Sequence, residues 1–246
     1  MTYYPHSNII ILDGLLQKQR NGAFLEKIFE IVKNNPIFFN VPYDEFVRIL
    51  NCLSTRISSY KKNETIINEG DEVTFIGVII SGSVKIIKED ERGNVSMYTE
   101  LPEYGMFGDI LTSAGITHSP VLIFANEDTE ILKINSKKLL GLCSAACPSH
   151  IKLLGNLLRE VAKKSFSLNR KIEVLSKRST REKILCFLDL YRDGSKKFSI
   201  PYNREEMAEY LCVDRSAMSY ELSKMRDEGM IHYKKNQFEV FETTSY

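Results

Sequence analysis

NREEMAEYLCVDRSAMSYELSKM, residues 203–225, reads as two short helices joined by a tight turn, and the rest of the chain is organised around it. Asn203 can cap the first helix through its side-chain oxygen, and Glu206 can return a bond to the cap backbone, completing a capping box. Met207, Ala208 and Leu211 then share one face at helical spacing, while Arg204, Glu205 and Glu209 fall elsewhere. After Leu211-Cys212-Val213, Asp214 is a second N-cap candidate, and Met218, Leu222 and Met225 repeat as a buried stripe would. The opposite face of this second helix offers Arg215, Ser216, Ser219 and Tyr220 within its first two turns. A helix entering the major groove presents its base-contacting side chains there. Arg215 suits guanine, because its fork can bond O6 and N7 together. Arg204, on the outward face of the first helix, is a further candidate for contact with DNA.

An ordinary pair of surface helices would show much of this pattern, so the sequence that follows matters. Met230-Ile231-His232-Tyr233, the polar turn Lys234-Lys235-Asn236-Gln237, and Phe238-Glu239-Val240-Phe241 form a hairpin pattern with a basic tip. A wing after two helices predicts a winged helix-turn-helix, with Lys234 and Lys235 placed to hold phosphate.

The composition sets the bounds. At 246 residues, 43% hydrophobic and 26% charged, the chain has room for two ordinary globular domains. No apolar run approaches the roughly 20 residues of a membrane span, and MTYYPHSNIIILDGLL lacks the basic start and small-residue cleavage site of a signal peptide. A cytoplasmic protein without a membrane partner is expected. The formal net charge of +1 gives no bulk basicity, so any argument for nucleic acid rests on local placement. Five cysteines without a Cys-x-x-Cys pair suit a reducing compartment and supply neither a disulfide framework nor a zinc spacing.

Residues 1–35 form an N-terminal extension in which Phe24, Ile28, Ile31 and Val32 suggest a short amphipathic helix. Tyr43 to Leu53 predicts a clearer helix behind Pro42, with Phe46, Val47, Leu50 and Leu53 on one face. From Glu64 to Asn135 the texture becomes short β-branched and aromatic runs broken by Gly70-Asp71, Gly82, Arg92-Gly93-Asn94, Gly105 and Gly108. This predicts an antiparallel β-domain over residues 36–147, closed as a small barrel or jelly roll so that strand edges are not exposed. Phe75–Ile80 and Val84–Ile87 are expected as adjacent strands around a Gly82 turn, with Val121–Phe124 and Glu130–Ile134 completing the set.

Here the chain resembles a known family. Ile67-x-Glu69-Gly70-Asp71, Val78-Ile79-Ile80-Ser81-Gly82-Ser83-Val84, Phe107-Gly108-Asp109, a long helix and then the winged reading head follow in the order seen in the cyclic AMP receptor/FNR family of bacterial transcription regulators. The resemblance runs from about Phe38 to Phe241 and is most specific in the tail from Arg215-Ser216-Ala217 to Met225-Arg226-Asp227-Glu228-Gly229-Met230-Ile231. It implies an α+β protein, a β-roll sensor followed by a dimerisation helix over 148–176 and a DNA-binding domain over 177–246. Double-stranded DNA, a second copy of the chain and, for an activator, RNA polymerase are the implied partners.

The connecting helix carries its own signal. Ile151, Leu154, Leu158, Val161, Ser165, Leu168, Ile172 and Leu175 alternate in spacings of four and three, a heptad seam broken by Ser165. So long and narrow a stripe suits self-pairing, which would set two reading heads on a two-fold axis over a near-palindromic site. Ser179-Thr180-Arg181-Glu182 offers another cap, and Lys177-Arg178-Ser179 is the expected hinge.

The resemblance is weakest at the effector site. Members that bind cyclic AMP hold the ribose with an acidic residue after Phe-Gly and the phosphate with an Arg-Ser pair further on. This chain keeps Asp109 but has His118-Ser119-Pro120 at the second place. Loss of the arginine fork and of one N–H removes the main phosphate anchor, so cyclic AMP is not the expected effector. The cofactor stays open, with haem on His118 or His150 and a thiol pair, Cys143 with Cys147, as alternatives. A pocket lined by Phe107, Gly108, Asp109, His118, Ser119 and Ser165 is expected. A cupin-like barrel enzyme is the competing class, but its metal chemistry needs clustered ligands, and His6, His118, His150 and His232 are scattered. No catalytic residue, no bound metal and no enzymatic activity are expected.

Overall fold

Phe75–Ser81 forms a strand whose interior residues, from Ile76 to Ile80, are all buried. Such a strand must be covered on both faces, which explains why its sequence is a continuous apolar run rather than an alternation. In the computed structural model, which describes residues 22–90, 92, 94–141 and 148–241, the elements are α1 (Gly22–Val32), α2 (Tyr43–Cys52), β1 (Arg56–Tyr60), β2 (Thr65–Ile67), β3 (Phe75–Ser81), β4 (Val84–Glu89), β5 (Val95–Leu101), β6 (Met106–Phe107), α3 (Asp109–Ser113), β7 (Leu122–Ala125), β8 (Thr129–Asn135), α4 (Ser136–Leu140), α5 (Pro148–Leu175), α6 (Thr180–Asp189), β9 (Lys197–Ser199), α7 (Arg204–Leu211), α8 (Arg215–Asp227), β10 (Ile231–Lys234) and β11 (Gln237–Val240). They fall into two compact units that divide between Ala162 and Lys163.

The first unit holds two antiparallel four-stranded sheets, of order β1-β8-β3-β6 and β2-β7-β4-β5. One core joins the two sheets through Ile67, Ile79, Val84, Phe107, Ile123 and Ile131. A second core covers the other face of β3 and β8, where Ile76, Val78, Ile80, Leu132 and Ile134 meet Ile28 and Val32 of α1, Phe46 and Ile49 of α2, and Leu153 and Leu157 of α5. The antiparallel β-domain expected from sequence is therefore present as a two-sheet roll. The expected pairing of β3 with β4 is not. These strands lie in different sheets, because the chain around Gly82 crosses from one sheet to the other. The return from β7 to β8 crosses at the same corner, where the Asn126 amide donates to the Ser83 carbonyl. Gly82 sits there at φ +81, with the backbone oxygen of Asp128 only 2.6 Å from where a Cβ would stand. Only glycine combines that backbone with that clearance.

The second unit is built round Met207, Ala208 and Leu211 of α7, Met218, Leu222 and Met225 of α8, Ile184, Phe187 and Leu188 of α6, and Phe238 and Val240 of the wing. Its sheet has the order β10-β11-β9, and β9, a three-residue strand, has no counterpart in the sequence reading. Val174, near the end of α5, is fully buried in this core. Arg170 donates to the Leu190 carbonyl, and Lys171 lies 5.2 Å from the centre of the Tyr210 ring. Lys177-Arg178-Ser179, the expected hinge, thus follows a helix end that is already packed into the second unit.

Candidate nucleic-acid interface

Both expected capping boxes form. Asn203 accepts from the amides of Glu205 and Glu206 while Glu206 accepts from the Asn203 amide at 2.7 Å, and Ser179 and Glu182 make the same exchange at the start of α6. These bonds satisfy donors that a helix N-terminus otherwise leaves open, so each helix begins at one defined residue. The turn between α7 and α8 passes through Cys212 at φ 50, ψ 52, a left-handed conformation. Asp214 then caps α8 by accepting from the Ser216 and Ala217 amides. The Ser216 hydroxyl and these two amides hold the Asp214 carboxyl below the usual carboxylate range.

With Met218, Leu222 and Met225 turned into the core, α8 leaves Arg215, Ser216, Ser219 and Tyr220 exposed, and Tyr220 is 71% accessible. Arg215 makes one long contact, 3.5 Å, to Glu205, both side chains being well exposed. The wing is a tight hairpin in which Lys234 pairs with Gln237, leaving Lys235 (φ 56) and Asn236 as the turn. Two sets of bonds fix its tip: Asn236 exchanges hydrogen bonds with Ile200, and Arg204 donates to the Lys235 carbonyl at 3.0 Å. Lys234 and Lys235 therefore project from a held turn, while Arg204, one of the sequence candidates, sits over the rings of Tyr233 and Phe238 and is only partly exposed. Burial lowers the Arg204 pKa from its ordinary value.

Two family profiles match the chain in succession, the cyclic nucleotide-binding domain over residues 57–146 and the Crp-like helix-turn-helix domain over residues 182–242. The chain belongs to the cyclic AMP receptor/FNR family. It is a DNA-binding, effector-responsive transcription regulator of that family and not an enzyme, which removes the barrel-enzyme alternative. DNA is bound through the helix-turn-helix domain.

Among solved structures, the catabolite activator protein of Thermus thermophilus shares the fold at 21% identity and a TM-score of 0.51, over 85% of this chain and 94% of that one. CprK in complex with OCPA shares it at 16% identity and a TM-score of 0.54, over 79% and 89%. No curated protein sequence matches the chain.

Within this family frame the effector candidates of the first unit can be placed. Phe107 is fully buried, its ring against Phe75 and over Gly77, where a Cβ would come within 2.2 Å of it. Gly108 adopts φ 77 as the N-cap of α3, and Asp109 behind it is 2% exposed. Ser119 is also buried, donating to the Val121 carbonyl at 2.7 Å and accepting from the Val121 amide. His118 is exposed, with its ring nitrogen 2.9 Å from the Thr117 hydroxyl. His150 is buried with Nε2 at 2.6 Å from the Leu139 carbonyl. Ser165 lies exposed on the part of α5 that belongs to the second unit. Cys143 and Cys147 lie outside the described residues, as does His6.

On α5 the sequence seam separates from the face used within the chain. Leu153, Asn156 and Leu157 are buried, whereas Ile151, Leu154, Leu158, Leu168 and Ile172 are exposed and Val161 and Leu175 are half-buried. No described helix is long and apolar enough to cross a membrane. Sequence reasoning missed Arg181, whose guanidinium reaches Glu221 and Glu228 across the second unit. The Ser-x-x-Glu box marked its helix start, but nothing local marked its partners.

Proposed function

We propose that the chain binds near-palindromic promoter sites as a homodimer, with α8 in the major groove and the wing on the backbone. The observation that carries this reading is the division of α8: its Met218-Leu222-Met225 face is buried, and its first two turns present Arg215, Ser216, Ser219 and Tyr220 to solvent beside a fixed basic wing tip. On this reading Arg215 and its neighbours contact bases, Lys234 and Lys235 contact phosphate, and Arg204 serves by holding the wing. The exposed seam Ile151, Leu154, Leu158, Leu168, Ile172 pairs with its copy, residues 36–147 sense the effector, and residues 177–246 read DNA. The protein works in the cytoplasm and, if an activator, meets RNA polymerase.

The effector is something other than cyclic AMP. His118-Ser119-Pro120 lacks the arginine fork, and both Asp109 and Ser119 are buried, with the Ser119 hydroxyl bonded to the chain itself.

The experiment is to select bound sequences from a random duplex library and then measure Arg215→Ala on the selected site and on random DNA. We expect two inverted half-sites, with Arg215→Ala costing about 1–3 kcal/mol on the selected site and relaxing one base pair in each half. A wing lysine replaced by alanine should weaken both DNAs alike and flatten the salt dependence by about one counterion. Equal losses from Arg215→Ala on both DNAs would overturn the assignment, and a rise in affinity at micromolar cyclic AMP would overturn the effector reading.

A further inference from the structure

The buried side of α8 explains why the helix stays on the domain, but less well why it faces one way. Two of its three core anchors, Met218 and Met225, are methionines, whose flexible side chains tolerate small rotations of the helix that carries them. A roll matters at the DNA. With side-chain tips about 6 Å from the helix axis, a rotation of about 10° moves each tip by about 1 Å. A recognition site tolerates about 0.5 Å.

One guanidinium opposes that roll. From the first turn of α6, Arg181 directs Nε to Glu221 at 2.5 Å, and its two terminal nitrogens to the two carboxylate oxygens of Glu228 at 2.7 and 3.1 Å. Glu221 lies inside α8 and Glu228 caps its C-terminal end. A planar group bonded along two edges resists rotation of its partners as a single ion pair cannot. Glu221 follows Arg215 by six positions, about 120° round the helix, so the latch grips the flank of the buried stripe, away from the proposed base contacts. The other end is equally fixed, since the Ser179–Glu182 capping box sets the first turn from which Arg181 extends. Glu228 also stands where the helix dipole is negative, a place in which a carboxylate needs a cation beside it.

We propose that Arg181 is a positioning residue for base reading: through Glu221 and Glu228 it sets the roll of α8, and so where Arg215 and Tyr220 meet the bases. This rests on the reading of α8 as the recognition helix. The test measures dissociation constants for the library-selected site and for random duplex DNA, together with thermal melting, in the full chain and in Arg181→Met, Arg181→Lys, Glu228→Gln and the Arg181→Met/Glu228→Gln pair. For Arg181→Met we expect the ratio of random to selected dissociation constants to fall about ten-fold, the equivalent of one base contact, with random-DNA affinity nearly unchanged. Arg181→Lys, which keeps charge but not the fork, should fall between, and the pair should lose less than the two single losses combined.

A loss shared equally by both DNAs, or an unchanged ratio in Arg181→Met and Glu228→Gln alike, would overturn the proposal. Should Arg181→Met fail to fold, Glu228→Gln decides, since it removes only one partner of the latch. If Arg215→Ala lowers the ratio while these variants do not, positioning alone falls. If wild-type protein does not distinguish the two DNAs, the reading of α8 falls with it.

Discussion

The guanidinium carbon of Arg204 stands 4.8 Å from the centre of the Tyr233 ring, tying the first turn of α7 to the wing. The same group lies 5.1 Å from the Phe238 ring centre and donates to the Lys235 carbonyl. An arginine that a sequence reader would assign to DNA therefore holds the element that carries the wing lysines. The stacking is worth about 0.5–1 kcal/mol per ring, and the hydrogen bond about 1.

Arg204→Ala should therefore lower the stability of the second unit by about 2–3 kcal/mol. Amide exchange at Tyr233 and Phe238 should quicken with it. Arg204→Lys keeps the charge without the planar stack and should recover less than half of the loss. A melting curve within error of wild type for Arg204→Ala would show that the wing stands without this contact.

The turn at Cys212 gives a second expectation. A left-handed backbone costs a residue with a Cβ roughly 1–2 kcal/mol, and glycine removes that strain while adding freedom to the unfolded chain. Cys212→Gly should stabilise the domain by about 0.5–1 kcal/mol in urea unfolding, and Cys212→Val should destabilise it, because a β-branched residue fits this region worst. The reverse order would mean that the turn relaxes to another conformation in solution.

These cases show what the sequence could disclose. The caps at Asn203, Asp214 and Ser179 were legible because each cap side chain bonds to backbone no more than three residues on, and the faces of α7 and α8 were legible because helical spacing is periodic. The sheet assignment of β3 and β4 was not legible, since a two-strand hairpin and a crossing between sheets share the same Gly-centred signal. β9 was missed because Lys197–Ser199 is too short for an alternation to register, and its pairing with β11 lies some 40 residues away. The roles of Arg181 and Arg204 depend on partners brought near by folding alone.

Lys133 supplies a dependence on pH. It lies on β8 between Arg56 of β1 and Gly77 of β3, with its ammonium 4.3 Å from the Phe75 ring centre and 5.1 Å from that of Tyr60. Burial, with Arg56 adding to it, pushes the ammonium down to about 8. A base with its folded pKa below its unfolded value carries a full folding penalty while both states are protonated, below about pH 8. The penalty is relieved between there and the ordinary 10.5, where the folded amine has lost its proton and the unfolded one has not. Lys133→Met should therefore be more stable than wild type near pH 7, with the gap narrowing towards pH 10. A gap that stays constant over that range would show that the ammonium remains hydrated.

The seam on α5 carries the last expectation. Leu158 is 70% exposed and Ile151, Leu168 and Ile172 more than half exposed, so one chain alone leaves the stripe largely in water. Full burial of such a side chain contributes about 1.5–3 kcal/mol, and a two-fold interface buries each twice. Ten such side chains, these four and Leu154 from each copy, are enough to outweigh an association cost of about 4–15 kcal/mol. Leu158→Glu with Leu168→Glu would bring four carboxylates together at one interface, a burial that no cation on the seam could compensate. Light scattering at micromolar concentration should give a dimer for wild type and a monomer for this variant. The variant should keep its affinity for a single half-site and lose the gain conferred by two, because its reading heads are untouched. Ser165→Leu fills the one polar position of the stripe and should tighten the dimer. If Ser165 keeps two arrangements of the helices close in energy, the same change should also blunt any effector response, since a ligand can shift only an equilibrium that its differential affinity can reach. A wild-type monomer at micromolar concentration would remove the basis for both.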